Sequence, residues 1–136
     1  MTEKQHNTYF LIFLTGCLIL ILVLKPPTRN YIPVIWGLMG FGFYGFLYWK
    51  SWIDLSNILV NKHKHFLKDK KISYHDTRFK KTVDMFSLLK KRHEIEEISN
   101  DMKIRLSYNR TFLRLVLVAF PMTAILGIMT IVMTWN

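Results

Sequence analysis

Residues 112–135 read FLRLVLVAFPMTAILGIMTIVMTW, an apolar run longer than the ~20 residues that carry an α-helix across a hydrocarbon core. Its one charge, Arg114, stands at the start, where its stem can snorkel toward headgroups. Two shorter runs precede it, TYFLIFLTGCLILILVL at 8–24 and YIPVIWGLMGFGFYGFLYW at 31–49. Only helices and closed barrels satisfy every backbone group in lipid, and continuous apolar runs of this length belong to helices. The sequence therefore predicts an all-α membrane protein with three transmembrane helices. It divides into a transmembrane hairpin at 1–49, a basic helical segment at 50–110 and a last span at 111–136.

Charge sets the expected orientation. Residues 50–110 hold fifteen Lys or Arg against eight Asp or Glu, so most of the net charge of +10 lies between spans two and three. Basic residues near spans stay on the cytoplasmic side. The middle segment is thus expected in the cytoplasm, with the N-terminus inside and the C-terminus outside. Lys25 and Arg29 in the short outer turn oppose this, two charges against fifteen. Aromatic residues fit two interfacial belts: Tyr9, Tyr48, Trp49, Trp52 and Tyr108 toward the inside, and Tyr31, Trp36 and Trp135 toward the outside.

Residues 50–110 contain neither Gly nor Pro, which predicts a mostly helical segment. Trp52, Leu59 and Phe66 recur every seven residues, as do Ile53, Val60 and Leu67, so span two should run on as one long amphipathic helix. A break is expected at 70–75, with Asp76 capping the next helix and Phe79, Val83, Phe86 and Leu89 forming its buried stripe. The charge order of Lys90-Lys91-Arg92 followed by Glu94, Glu96 and Glu97 places a turn near His93. Ile95, Ile98, Met102 and Leu106 then lead without interruption into the last span. With so little chain outside lipid, one compact helical bundle is expected.

Chemistry-bearing patterns are sparse. His63 and His65 lie on different helix faces and cannot share a metal ion, and His6, His75 and His93 read as solvated or headgroup-facing. No phosphate loop, nucleophile elbow or acidic pair within a span is present, so no enzyme activity, cofactor or metal site is expected. Leu14-Thr15-Gly16-Cys17 matches a lipobox, but the apolar run continues through residues 18–24, and Cys17 reads as a packing residue.

Two features point to binding. Gly37, Gly40, Gly42 and Gly45 form a smooth flank where another helix backbone, from this chain, a second copy or another membrane subunit, could approach. Phe41, Phe43, Tyr44 and Phe46 would then face lipid or that partner. Lys62, Lys64, Lys68, Lys70 and Lys71, together with Arg114, are expected to meet anionic lipid headgroups, since a basic stretch beside a span lies closer to lipid than to nucleic acid.

From Trp36 onward the layout resembles bacterial universal stress protein B, a small inner-membrane protein. The likeness rests on YWKSWIDL at 48–55, TVDMFSLLKKR at 82–92 and RLSYNRTF at 105–112. That family is two-spanning, so the first span would be an addition, and the resemblance implies a stress-associated membrane protein without catalytic residues. LVLVAFP at 115–121 and the three-span basic plan also look like colicin-type immunity proteins, which neutralise pore-forming toxins within the bilayer. The reading is a non-enzymatic accessory or scaffold protein, with toxin immunity as the alternative.

Overall fold

The computed structural model describes residues 2–77 and 81–135. The first helix, α1 (Glu3–Val23), opens on a reciprocal capping box: the Thr2 hydroxyl accepts from the Gln5 amide, and the Gln5 side chain accepts from the Thr2 amide. Two orphan donors are satisfied at once. The helix stops at Leu24, ahead of Lys25-Pro26-Pro27, a sequence that cannot prolong it. A 3₁₀ turn (Thr28–Tyr31) leads into α2 (Ile32–Trp36), which carries Pro33 in its first turn, where the missing amide donor costs nothing.

The chain then adopts a π-helical segment, Gly37–Phe43, before α3 (Tyr44–Lys62) resumes ordinary winding. The last helix, α7 (Asn100–Trp135), continues through Pro121. Among the described residues, three helical stretches, Glu3–Val23, Thr28–Lys62 and Asn100–Trp135, are long and apolar enough to cross a membrane. The expected runs at 31–49 and 112–135 lie within them, and the run at 8–24 does so except for Leu24, the C-cap of α1.

The chain forms two compact units in place of the single one expected: Tyr48–Arg110, and the remainder on either side of it. In the unit built from the chain termini, α1 buries His6, Phe10, Cys17 and Ile21, one face at helical spacing. Arg29 ties this unit together. Its side chain is buried, Nε donating to the Leu24 carbonyl at 2.8 Å and a terminal guanidinium nitrogen donating to the Met133 carbonyl at 2.9 Å. These carbonyls close the C-terminal ends of α1 and α7, where the backbone dipole is negative and a cation is favoured. Nearby, Thr134 donates to the Asn30 side chain at 3.3 Å.

The second unit has its own apolar core: Leu55, Leu59, Val60, Leu67, Ile72, Val83, Leu88, Ile95, Met102 and Leu106. Its helices are shorter than the sequence suggests. The chain leaves the helical conformation at His63 and re-enters it in α4 (Lys64–Asp69), so the amphipathic helix is divided in two. α4 ends in a Schellman motif, with Ile72 N–H on the Leu67 carbonyl, Lys71 N–H on the Lys68 carbonyl, and Lys71 in the left-handed region at φ 52°. Leu67 and Ile72, both buried, supply the hydrophobic contact that accompanies such a cap.

Where a helix capped by Asp76 was expected, two short antiparallel strands occur, β1 (Tyr74–Asp76) and β2 (Lys81–Val83), pairing Tyr74 with Val83 and Asp76 with Lys81. Phe79 lies outside the described residues. The capping role falls to Asp84, whose carboxylate accepts from the Ser87 amide to start α5 (Met85–Lys90). A turn at Lys91, two residues before the expected one, precedes α6 (Arg92–Glu96). A further break at 97–99 interrupts the stripe running from Ile95, yet Ile95, Met102 and Leu106 all remain buried. The expected stripe of α5 is also reversed in part: Val83 and Leu88 are buried, whereas Phe86 and Leu89 are exposed.

Replacing Arg29 with Ala removes two charge-assisted hydrogen bonds and should destabilise the first unit by about 2–4 kcal/mol. Arg29→Lys, which retains charge without the fork, should fall between. Thermal melting of the detergent-solubilised protein checks this, and melting points unchanged from wild type for both variants would remove the clamp from the account.

Candidate functional site

Four residues at strict intervals of four, Ile32, Trp36, Gly40 and Tyr44, are buried along the second apolar stretch. In an α-helix of 3.6 residues per turn, each such step drifts about 40° around the axis. The π-helical winding between Gly37 and Phe43 places more residues in each turn and offsets that drift. The four positions thereby share one face.

That face is knit to its neighbours by aromatic side chains. A Cβ at Gly40 would stand 3.0 Å from the Trp36 ring, so the glycine makes the space that the indole occupies. The indole N–H donates to the Ala119 carbonyl of α7 at 3.2 Å. Phe10 meets Trp36 edge-on at 5.2 Å and Tyr44 at 5.6 Å, while Phe13 stacks on Trp36 at 5.5 Å. The Tyr44 hydroxyl donates to the His6 carbonyl at 3.2 Å, and the His6 ring lies edge-on to Phe112 at 5.0 Å. His6, expected at the surface, is therefore buried among aromatic rings, and Tyr44, expected to face outward with Phe41, Phe43 and Phe46, is buried while those three are exposed. At the start of α1, Glu3 accepts from the Thr111 hydroxyl of α7 at 3.0 Å.

The four glycines differ in surroundings. A Cβ at Gly37 would meet Thr123 of α7 at 3.5 Å, an ordinary contact, whereas Gly42 has only the Gly37 carbonyl at 3.9 Å and Gly45 has nothing within 4 Å. Gly37 borders an open apolar groove of about 570 Å³, whose walls include Val34, Leu38 and Phe41 on one side and Phe120 and Ala124 on the other. The one polar side chain there, Thr123, donates to the Ala119 carbonyl at 2.9 Å, so the groove asks nothing polar of an occupant. A second open groove of about 340 Å³ lies between α1 and the other flank of the π-helical segment, lined by Tyr9, Ile12, Phe13, Met39 and Phe43 among others.

The basic residues also separate. Lys64 pairs with Asp76, and Lys70 pairs with Glu94 at 2.8 Å, which also holds Lys91 at 2.8 Å. Hydrogen bonding raises the Lys64 and Lys70 amines above their usual range and holds Asp76 and Glu94 below theirs. The amide of Ser87 likewise lowers Asp84. Lys62, Lys68 and Lys71 are exposed and have no ion-pair partner among the described residues. Arg114 is exposed on α7. Among the described residues, no three His, Cys, Asp or Glu gather where they could hold a metal ion. Compared with protein-family models, with curated proteins and with solved structures, the chain has no match.

Two outcomes follow. Gly40→Leu must displace the Trp36 indole from Ala119 and should cost about 1–3 kcal/mol of overpacking, whereas Gly45→Leu should leave internal packing intact; equal melting points for the two variants in detergent would contradict this. For the second unit, carboxylates whose folded pKa lies below the unfolded value stabilise fully above about pH 4 and lose that contribution as pH falls through the folded value. Amide exchange within Tyr48–Arg110 should accordingly stay slow down to about pH 4 after correction for the intrinsic rate, and accelerate below it. Loss of protection already near neutrality would show that these pairs do not carry the effect.

Proposed function

We propose that this chain is a non-enzymatic, multi-pass accessory or scaffold protein of a bacterial inner membrane, acting through helix-to-helix contact. The observation that carries the reading is the pair of apolar grooves flanking the π-helical segment Gly37–Phe43. Lipid tails are as apolar as leucine, so helices associate in a bilayer by close packing and not by expulsion from water. A groove walled by Phe41, Phe120 and the small residues Gly37 and Ala124 supplies that surface, and winding with i→i+5 bonds recurs at functional positions in helices.

In this reading residues 50–110 face the cytoplasm, with the N-terminus inside and the C-terminus outside. Lys62, Lys68 and Lys71, without an ion-pair partner among the described residues, and Arg114 on the last span, meet anionic headgroups. Lys64 and Lys70 serve instead as internal ties. The stress association implied by the resemblance to universal stress protein B would then lie in the complex that the chain supports. The same grooves suit the helices of a pore-forming toxin, which is the immunity alternative.

Purification from gently solubilised membranes tests the reading when paired with Ala124→Trp, which fills the larger groove. The wild-type chain should retain a membrane subunit, host or self, that the variant loses, and deletion of the gene should impair that partner's assembly. A cysteine at Lys68 in the same cells should escape an impermeant thiol reagent until the membrane is opened. Protection against one toxin with no co-purifying subunit would overturn the accessory role in favour of immunity.

A further inference from the structure

Helix α5 sets two apolar side chains into solvent by construction. Leu88 is 1% exposed and fixes the rotation of the helix, and Val83 just before it is equally buried. At about 100° per residue, Phe86 and Lys90 then fall on the side opposite Leu88. Phe86 is 80% exposed, Leu89 is exposed beside it, and Lys90 is exposed. The N-terminal end of α5 is held against turning these residues inward. The Trp52 indole donates to the Val83 carbonyl at 3.2 Å, the Asp84 amide to the Ser73 carbonyl at 2.9 Å, and Asp84 caps the helix.

We propose that α5 is a membrane-surface anchor of the Tyr48–Arg110 unit, with Phe86 and Leu89 entering the headgroup layer of an anionic leaflet and Lys90 meeting lipid phosphate. This inference rests on the membrane residence argued above. Three observations select lipid as the occupant. Charge is complementary: Asp76, Glu94, Glu96 and Asp101 are each engaged by a Lys or Arg of the same unit, while Lys50, Lys62, Lys68, Lys71, Lys90 and Lys103 have no carboxylate partner among the described residues and outnumber the exposed acids without a basic one, Asp54, Asp84 and Glu97. The balance of uncompensated charge among the described residues is positive.

Size is the second observation. An aromatic side chain offers about 150–250 Å², far less than the ~800 Å² per partner that a stable protein interface buries, whereas binding at a membrane surface scales with whatever apolar area is buried, added to the attraction of Lys or Arg to anionic lipid. Connectivity is the third. The unit is joined at both ends to helices long enough to cross a membrane, so it is held close to a lipid surface and a weak anchor acts at high effective concentration.

The test uses the full-length protein in vesicles of phosphatidylcholine with or without phosphatidylglycerol. A nitroxide is placed at Leu89→Cys in a Cys17→Ser background, leaving Phe86 intact, with controls at Ile19→Cys on α1 and Ser73→Cys in the second unit. With phosphatidylglycerol present, the probe at 89 should be reached by oxygen and shielded several-fold from a water-soluble nickel complex. Phe86→Ser or Lys90→Glu should return it toward the behaviour of Ser73. A probe at 89 as open to nickel as Ser73, while the probe at 19 reports hydrocarbon, would overturn the anchor alone. Nickel access at 19 as well would overturn membrane residence and the anchor together. Shielding from both reagents would show a protein contact in place of lipid and equally overturn the proposal.

Discussion

The alignment of Ile32, Trp36, Gly40 and Tyr44 on one face governs the unit formed by the chain termini. With ordinary α winding these positions would spiral away from one another, and the Trp36 indole could not point at Ala119 while the Tyr44 hydroxyl pointed at His6. The π-helical winding of Gly37–Phe43 brings them into register. Gly40 then leaves room for the indole, and Phe10 fits between the two large rings. The Trp36 indole and the Tyr44 hydroxyl each donate to a backbone carbonyl, which suits surroundings where an unpaired polar group costs several kcal/mol, roughly, while the buried Nδ1 of His6 has no partner among the described residues.

The apolar helices were legible because a run of apolar residues needs no register to be recognised. Phase was harder. A stripe drawn from Val83 through Phe86 to Leu89 assumes one helix beginning before Val83, yet Val83 lies in a strand and α5 starts afresh behind the Asp84 cap. That restart rotates Phe86 and Leu89 outward and brings Leu88 in. The hairpin itself carried little signal, since its strands are three residues each and no glycine or proline announces the preceding turn. There the left-handed position is taken by Lys71, a residue type that seldom adopts it.

Arg29 illustrates a different limit. As a charge in a short turn it weighs against the orientation that residues 50–110 favour, but its guanidinium is committed to the carbonyls of Leu24 and Met133. The second acceptor lies 104 residues away in sequence, beyond the reach of any local pattern. Lys64 and Lys70 are similar: both belong to the basic stretch, and only the fold shows that Asp76 and Glu94 take up their charge. For the glycines, composition identified the segment but not the division of labour between Gly40, filled by its own chain, and Gly45, which faces open space.

The π-helical segment also changes what chain length means in this protein. Winding with i→i+5 bonds holds surplus residues between the contacts at Trp36 and Tyr44, relative to an α-helix that would join the same two points. Loss of a residue between Gly37 and Phe43 could be absorbed by a return to α winding, leaving both flanks in phase. The same loss within α7, between Ala119 and Leu126, would rotate everything beyond it by about 100° and carry Leu126 and Thr130 off their buried face. Length variation in this protein is thus expected to be tolerated in the glycine-rich stretch and resisted in the last helix.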